Sequence, residues 1–252
     1  MLSVIIPAHN EEDNIERTIR DFNMILSHEE IKHEILVIND NSKDKTEAIL
    51  KKLKKEIKEL RYINNSPPNG FGFAVLKGLN NFIGDYVAIV MADLSDDPND
   101  LVKYYLKALE GYDCVFGSRF IRGGKVYGYP AHKLILNRVI NNFIRLLFGI
   151  KYNDVTNAFK LYSKNTINGL RPFISHHFNL TVELPLKAIV RGYSYAVVPN
   201  KWFGRKKGIS KLKIKEMGSR YLFIILYCFI EKTFSRKDYN KVSNLTELHK
   251  NY

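Results

Sequence analysis

The chain has 252 residues, of which 45% are hydrophobic and 26% charged. This size and composition indicate one large folded domain with a smaller appendage, and they exclude a chain that is disordered, collagen-like or coiled-coil throughout. The net charge of +13 is concentrated in residues 201–252, which carry 13 basic and 4 acidic side chains. The C-terminal end is therefore either a solvated basic tail or the binding region for nucleic acid, phosphate groups or an anionic membrane surface.

Two features bear on the compartment of the protein. Cys114 and Cys228 are the only cysteines, and each lies in an apolar run, so we expect buried free thiols in a reducing environment. No secretory signal is predicted, because Met1 is followed at once by a short apolar run without a basic region. The longest apolar stretch, residues 221–230, has about half of the ~20 residues that a spanning helix needs, but it could lie in a membrane interface.

Strand-like and helix-like segments alternate along the first 120 residues. The predicted strands are residues 4–6, 34–39, 62–63, 86–91 and 113–117, and the predicted helices are residues 14–28, 45–57, 73–82 and 97–109. From about Ala131 the pattern is mainly helical, with one further strand at 195–199. This alternation predicts an α/β fold with a mostly parallel sheet.

Polar side chains follow four of the predicted strands. Glu11, Asp40, Asp93 and Arg119 come shortly after the strand ends, and ligands of open α/β sheets bind at this edge. Carboxylates together with an arginine suit a metal ion and a phosphorylated ligand. A dinucleotide-binding site is disfavoured, because the glycine pattern at Gly70 and Gly72 lacks its last glycine and does not follow the first strand.

Six segments, in order from residue 4 to residue 211, resemble family-2 glycosyltransferases and their polyprenyl-phosphate, dolichol-phosphate mannosyltransferase-like branch. They are VIIPAHNEE at 4–12, VINDNSKDKT at 37–46, NGFGFA at 69–74, GSRF at 117–120, DVTNAFK at 154–160 and WFGRKKGISK at 202–211. The resemblance implies a GT-A nucleotide-sugar-binding fold over residues 1–212, followed by a basic helical membrane-associating tail over residues 213–252.

The resemblance also implies the roles of individual residues. Asp40 would read the nucleoside, with Pro7 and Glu11 framing its pocket, and Asp93 would bind Mg²⁺ or Mn²⁺ on the diphosphate. Arg119 and Arg205 would contact phosphate oxygens through their guanidinium groups, and Lys211 would add a positive charge. Asp93, Arg119 and Arg205 are thus the predicted catalytic residues.

Several positions depart from the family pattern. Met91 stands where relatives have the first Asp of an Asp-x-Asp metal motif, and a thioether cannot replace a carboxylate toward a hard cation. Asp93 alone then remains, with Asp96 or Asp97 as helpers. Three further departures are Asn39 in place of Asp, Ser95 in place of Gln and Lys160 in place of Arg.

Other polar residues are weaker candidates for the site. Arg138 is a candidate for the acceptor phosphate. Glu183, in an otherwise apolar stretch, is either a buried partner of a basic side chain or a functional group near the acceptor. The histidines show no metal-ligand spacing with a partner, and we expect His9, His176 and His177 to be structural.

The predicted function is transfer of a sugar, with inversion, from a GDP- or UDP-linked donor to a polyprenyl phosphate. A lipid phosphate is already anionic and needs positioning rather than a general base, whereas a sugar hydroxyl needs a base. The alternatives are transfer to a sugar hydroxyl of a surface polysaccharide, or a GT-A-like anion-binding module without catalysis. We expect a peripheral protein at the cytoplasmic face of a membrane, no nucleic-acid partner, and possible self-association through the C-terminal helix.

Overall fold

A computed structural model of the chain describes residues 1–204, 214–235 and 238–239. The strands are β1 (Leu2–Ala8), β2 (His33–Asn39), β3 (Leu60–Asn64), β4 (Tyr86–Ile89), β5 (Cys114–Ser118), β6 (Lys125–Tyr127), β7 (Lys160–Ser163), β8 (Tyr195–Pro199) and β9 (Lys201–Phe203). The helices are α1 (Ile15–His28), α2 (Thr46–Glu56), α3 (Phe71–Leu79), α4 (Pro98–Leu109), α5 (Ala131–Phe148), α6 (Lys164–Gly169), α7 (Leu180–Val190) and α8 (Ile214–Phe234).

Seven strands form one sheet in the order β3-β2-β1-β4-β7-β5-β8, and β6 pairs with β9 in a separate ribbon. All pairs of the large sheet are parallel except those made by β7, which runs antiparallel between β4 and β5. The predicted α/β class and mostly parallel sheet are thus confirmed.

Helices cover both faces of the sheet, so the chain forms three layers. Residues of β1 alternate between the two sides: Ile5 packs with α3, α7 and α8, whereas Val4 and Ile6 pack with α1, α2 and α4. The helix predicted at residues 14–28 is present as α1, and its apolar residues at helical spacing, Ile15, Ile19, Phe22 and Leu26, are buried. Strands buried on both faces read as continuous apolar runs, which explains the composition of β1 and β2.

The structure corrects three sequence predictions about strands. β1 does not end at Pro7 but continues to Ala8. Pro7 is tolerated because the pairing of β1 with β4 ends at Ile5. At Pro7, β1 therefore has a neighbouring strand on one side only, where a missing N–H costs no ladder hydrogen bond. β4 ends at Ile89, two residues before the predicted end. The short strands β6, β7 and β9 were not predicted, and β7 is atypical because it begins with the buried Lys160.

The helix of the predicted C-terminal tail is present as α8, and it is part of the core. Ile224, Ile225 and Cys228 are buried in the same apolar cluster as α7. The buried pair Arg191–Glu231, with Nε to Oε1 at 2.7 Å, joins α8 to the end of α7. Cys114 and Cys228 are both buried free thiols, as predicted. Within the described residues, no helix is both long enough and apolar enough to cross a bilayer.

Candidate active site

The topology creates a cleft at the carboxyl ends of β1 and β4. The chain leaves β1 toward β2 on one side of it, whereas β4 lies on the other side of β1 and begins the other half of the sheet. Where the strand order reverses in this way, the loops that follow the two strands diverge and leave a crevice between them. A cavity of about 640 Å³ occupies this position. Pro7, Glu11, Asp40, Asp93 and Arg119 all contribute to its lining, so the structure brings together the described residues that the sequence predicted for the site.

Asp40 organises one end of the cavity. It is buried, and its carboxylate accepts hydrogen bonds from Asn65 Nδ2 at 2.8 Å, Asn69 Nδ2 at 2.9 Å and the Gly70 N–H at 2.7 Å. A carboxylate has about four acceptor positions, so this network leaves one position for a ligand. Asp40 therefore shapes the 65–70 loop as well as facing the cavity.

The glycine-rich turn is explained by close backbone approach. Gly70 has φ of +138°, a conformation that L side chains rarely adopt. At Gly72, an added Cβ would lie 2.2 Å from the backbone carbonyl carbon of His176. Phe71 also stacks on Phe178, with ring centroids 4.2 Å apart. The turn thus joins the Asp40 side of the cavity to the 176–178 segment.

The loop after β4 places carboxylates at the cavity. Asp93 lines the cavity, and its Oδ1 accepts the Ser95 N–H at 3.2 Å. Asp96 lies beside it, buried, with Oδ2 accepting the Met91 N–H at 2.9 Å. Burial, opposed by that hydrogen bond, raises the pKa of Asp96 to about 7. Asp97 instead caps α4, accepting the Asn99 N–H at 3.0 Å.

These residues fit Mg²⁺ or Mn²⁺ held jointly with a ligand. Among the described residues, no three His, Cys, Asp or Glu side chains are grouped to hold an ion. A hard cation in a nucleotide site commonly takes one or two carboxylates and completes its shell with phosphate oxygens and water. Asp93, with Asp96 next to it, is such a donor set, whereas Met91 lines the same cavity without offering a ligand for a hard cation.

Arg119 is held by a buried ion pair. Its Nε and one terminal nitrogen donate to Asp154 at 2.8 Å and 2.7 Å, and the Asp154 carboxylate also accepts the Arg119 backbone N–H at 3.0 Å. Burial lowers the pKa of Arg119, but the charge of Asp154 and its hydrogen bonds together outweigh that effect, so the pKa lies above its ordinary value. The pair leaves part of a permanently charged guanidinium at the cavity wall.

Lys160 supports the loop that faces Arg119. It is fully buried, and its Nζ donates to the carbonyls of Val155 at 3.0 Å and Thr181 at 3.1 Å, and also to the Asn157 carbonyl. Burial lowers the pKa of Lys160 to about 7. Because Thr156, Asn157 and Ala158 line the cavity, this amine fixes one wall of the site.

The cavity lining is also cationic and aromatic. Lys133 of α5 and Arg220 of α8 belong to it. Its Phe, Tyr and Trp residues are Phe71, Tyr129, Phe178, Trp202 and Tyr221, and the rings of Tyr129 and Trp202 lie 4.8 Å apart. Neither Lys133 nor Arg220 was predicted for the site from the sequence, because only the packing of α5 and α8 brings them to the cavity.

The remaining candidates have separate outcomes. Arg205 and Lys211 lie outside the described residues. Arg138 donates to the Asn153 carbonyl at 3.0 Å and lies over the Phe120 ring, and the cavity lining does not include it. Glu183 is the buried partner of Lys187, at 2.6 Å. Of the histidines expected to be structural, His9 and His177 line the cavity, while His176 stacks on Phe73.

Comparisons with known proteins agree with this geometry. A profile of the family described as "Glycosyl transferase family 2" matches residues 3–171. The chain is 28% identical over 215 residues to the polyprenol monophosphomannose synthase of Mycolicibacterium smegmatis, covering 83% of this chain and 80% of the relative. It is 29% identical over 219 residues to the dolichol-phosphate mannosyltransferase of Pyrococcus furiosus, covering 85% of this chain and 60% of that longer protein.

Solved structures show the same fold. The glucosyl-3-phosphoglycerate synthase of Mycobacterium tuberculosis, in complex with Mn²⁺, uridine diphosphate and phosphoglyceric acid, superposes with a TM-score of 0.68. The match covers 91% of this chain and 78% of that chain, at 18% identity. The expected GT-A-like α/β fold, with its mostly parallel central sheet, is therefore confirmed.

Proposed function

The chain belongs to glycosyl transferase family 2, and on that premise we propose that it transfers a sugar from a nucleoside diphosphate to a polyprenyl phosphate. The names of two relatives, a polyprenol monophosphomannose synthase and a dolichol-phosphate mannosyltransferase, support this lipid acceptor. The solved neighbour with uridine diphosphate supports a nucleoside-diphosphate donor. The donor nucleoside is guanosine or uridine in this proposal.

The donor would bind along the cavity from Asp40 to Asp93. Pro7, Glu11 and Asp40 surround the nucleoside end, where one acceptor position of the Asp40 carboxylate is available for a base or ribose donor. Asp93 and Asp96 would hold Mg²⁺ or Mn²⁺ against the diphosphate, and the neighbour crystallised with Mn²⁺ supports this cofactor. When bound, the cation neutralises charge on the leaving diphosphate. We further propose that Arg205 and Lys211 contribute phosphate contacts.

The observation that carries the acceptor assignment is the cationic part of the cavity lining. Lys133, Arg220 and Arg119 all line the cavity, together with several aromatic rings. Three cationic side chains around one cavity suit a phosphate monoester. The aromatic rings suit the apolar chain that carries the phosphate.

The proposed reaction is a single in-line displacement. An oxygen of the acceptor phosphate forms the bond to the anomeric carbon, while the bond from that carbon to the donor diphosphate breaks and the electron pair leaves with the nucleoside diphosphate. Inversion at the anomeric carbon follows. The acceptor is already ionised, so the chain needs to align it and balance its charge rather than remove a proton.

A second acceptor class has one specific observation in its favour. Asp96 lines the cavity with a pKa raised to about 7 by burial, and in a reaction in which Asp96 holds no cation, a carboxylate near that value can act as a general base toward a sugar hydroxyl. Transfer to a hydroxyl of a surface polysaccharide is therefore the alternative. We favour the phosphate because cationic side chains line the cavity. They would balance the charge of a phosphate acceptor, whereas an uncharged hydroxyl acceptor does not need them.

The reaction would take place where both substrates meet. A nucleotide sugar carries a charged diphosphate and does not cross a bilayer unaided, so the protein must reach a lipid phosphate from the side on which the donor is made. We propose that this is the cytoplasmic surface of a membrane. We further propose that the protein self-associates through α8 at this membrane surface.

The donor assignment is tested by nucleotide-sugar binding. GDP-linked and UDP-linked sugars are screened by thermal shift with Mg²⁺ or Mn²⁺, and the cognate donor should raise the melting temperature. Asp93→Asn should abolish the metal-dependent part of that increase, while Asp97→Asn, outside the proposed donor set, should keep it. If no nucleotide sugar stabilises the wild-type protein with either cation, the proposal is wrong.

A further inference from the structure

We propose that the hydroxyl of Thr156 donates a hydrogen bond to a phosphate oxygen of the acceptor, and that Asn137 and Asn141 of α5 orient the hydroxyl for this role. Thr156 lies in the loop before β7 and lines the cavity. The inference rests on the proposed function, because it adds a substrate-binding residue, with two positioning residues behind it, to the proposed acceptor site.

Asn141 is a fully buried amide whose orientation is fixed by two backbone groups. Its Oδ1 accepts the Thr156 N–H at 3.2 Å, and its Nδ2 donates to the Asn137 carbonyl at 2.9 Å. A backbone N–H can only donate, and a backbone carbonyl can only accept. The amide therefore has one possible orientation, in which its nitrogen also faces Thr156 Oγ1 at 2.9 Å.

The orientation of Asn141 in turn fixes the amide of Asn137. Asn141 Nδ2 lies 3.1 Å from one side-chain atom of Asn137, which must be the oxygen Oδ1 because a nitrogen there would oppose a second donor. The nitrogen of Asn137 then faces Thr156 Oγ1, to which it donates at 2.8 Å. Two amide nitrogens, four residues apart on one face of α5, thus face the same hydroxyl.

The hydroxyl proton of Thr156 has no acceptor among the residues that the structure describes. A hydroxyl has one proton to donate and two lone pairs that accept. Both neighbouring amide nitrogens are donors, so they engage the lone pairs and cannot take the proton. The O–H bond must therefore point away from the two asparagines. Because Thr156 lines the cavity, the proton is available to a bound ligand.

The same contacts connect Thr156 to two of the cationic lining residues. Lys133 lies one turn before Asn137, on the same face of α5. Asp154, two residues before Thr156, holds Arg119 through two side-chain hydrogen bonds. Lys133 and Arg119 both line the cavity. Their charges would attract an anion without directing it, whereas a hydroxyl with a fixed proton selects the position of one oxygen.

The first test removes the hydroxyl while keeping the shape of the side chain. Calorimetric titration with a detergent-solubilised short-chain prenyl phosphate measures acceptor binding to the full chain. Thr156→Val should bind this acceptor about tenfold more weakly or worse, because a hydrogen bond to a charged group is lost. Its KM for the nucleotide sugar should not change. Thr156→Ser keeps a hydroxyl and should bind the acceptor within about threefold of the wild type.

Thr233→Val is the matched control for this change. The Thr233 hydroxyl is exposed on α8, donates to the Phe229 carbonyl of its own helix at 2.9 Å, and does not belong to the cavity lining. The control makes the same replacement of hydroxyl by methyl away from the proposed acceptor site. Its acceptor binding and its KM for the nucleotide sugar should equal those of the wild type.

The second test keeps the hydroxyl and redirects its proton. Asn137→Asp puts a carboxylate oxygen where the amide nitrogen donates, so the Thr156 O–H turns toward it and away from the ligand. The added charge repels the acceptor phosphate whether or not the hydroxyl is present. Asn137→Asp should therefore weaken acceptor binding at least about threefold more in the wild-type chain than in Thr156→Val.

The outcomes separate this inference from the proposed function. Circular dichroism should show that the variants are folded, since the lost hydrogen bonds are small against the stability of a folded domain. Unchanged acceptor binding in either Thr156→Val or Asn137→Asp would overturn the inference, as would an equal effect of Asn137→Asp in both chains. If the variants bind the prenyl phosphate as expected but no protein transfers sugar to it, the role of Thr156 stands and the proposed function fails.

Discussion

Asp154→Asn should destabilise the fold because of the buried partner that it leaves behind. The side chains of Arg119 and Asp154 are 5% and 0% exposed. Two side-chain hydrogen bonds and one backbone hydrogen bond converge on the Asp154 carboxylate. The substitution keeps the volume but leaves the guanidinium charge uncompensated, which costs about 3–5 kcal/mol at buried pairs. For a chain of this size, that loss lowers the melting temperature by about 10 °C.

Urea unfolding followed by fluorescence of Trp202, the single tryptophan, measures this free energy. Asp21→Asn is the matched control, because Asp21 pairs with Arg17 at 3.3 Å on the surface, where a pair contributes about 0.5 kcal/mol or less. Arg119→Met/Asp154→Leu should recover part of the lost stability, since both charges are then absent. A loss below about 1 kcal/mol in Asp154→Asn would refute the argument that this pair holds Arg119 in place.

Three further predictions concern the walls of the site. Asp40→Ala should weaken nucleotide binding at least about tenfold, because the carboxylate accepts three N–H groups from the 65–70 loop; unchanged affinity by calorimetric titration would remove Asp40 from the site. Gly72→Ala should destabilise by about 2 kcal/mol or more, because its Cβ would meet the His176 backbone at 2.2 Å, whereas Gly218→Ala, with open space around its Cβ, should be neutral or stabilising. Lys160 has its pKa lowered by burial from 10.5 to about 7, so between these values the unfolded chain binds a proton that the folded chain does not, and stability rises with pH. Lys160→Met should lack this rise. Between pH 7.5 and 9.0, the unfolding free energy of the wild type should therefore increase by about 2 kcal/mol relative to that of the variant. Parallel plots of unfolding free energy against pH would contradict the burial argument.

The sheet and the polar residues at its edge were predictable because their signals are local. The buried strands are apolar runs, and parallel strands bring their carboxyl ends to one edge. The residues that follow each strand therefore predicted a common site for four side chains, Glu11, Asp40, Asp93 and Arg119, all of which line the cavity. The glycines at positions 70 and 72 were also visible in the sequence, although the approach of His176 that requires Gly72 was not.

The cationic part of the cavity lining was not predictable because it depends on tertiary packing. Lys133 and Arg220 lie 87 positions apart in the sequence, and nothing local marks either of them as facing the cavity. The partner of Arg119 was also hidden, since Asp154 is 35 positions away. β7 was missed because it begins with Lys160, whose burial depends on carbonyl acceptors from two other segments.

Transfer of labelled sugar to a short-chain prenyl phosphate tests the central proposal most directly. The cognate donor is supplied with Mg²⁺ or Mn²⁺, and the same prenol without its phosphate serves as the matched acceptor. The wild type should label the phosphate and leave the alcohol unlabelled, and Asp93→Asn should reduce the rate more than about tenfold, a loss above ~1.4 kcal/mol. Equal labelling of the alcohol, or an Asp93→Asn rate above about a tenth of the wild type, would contradict it.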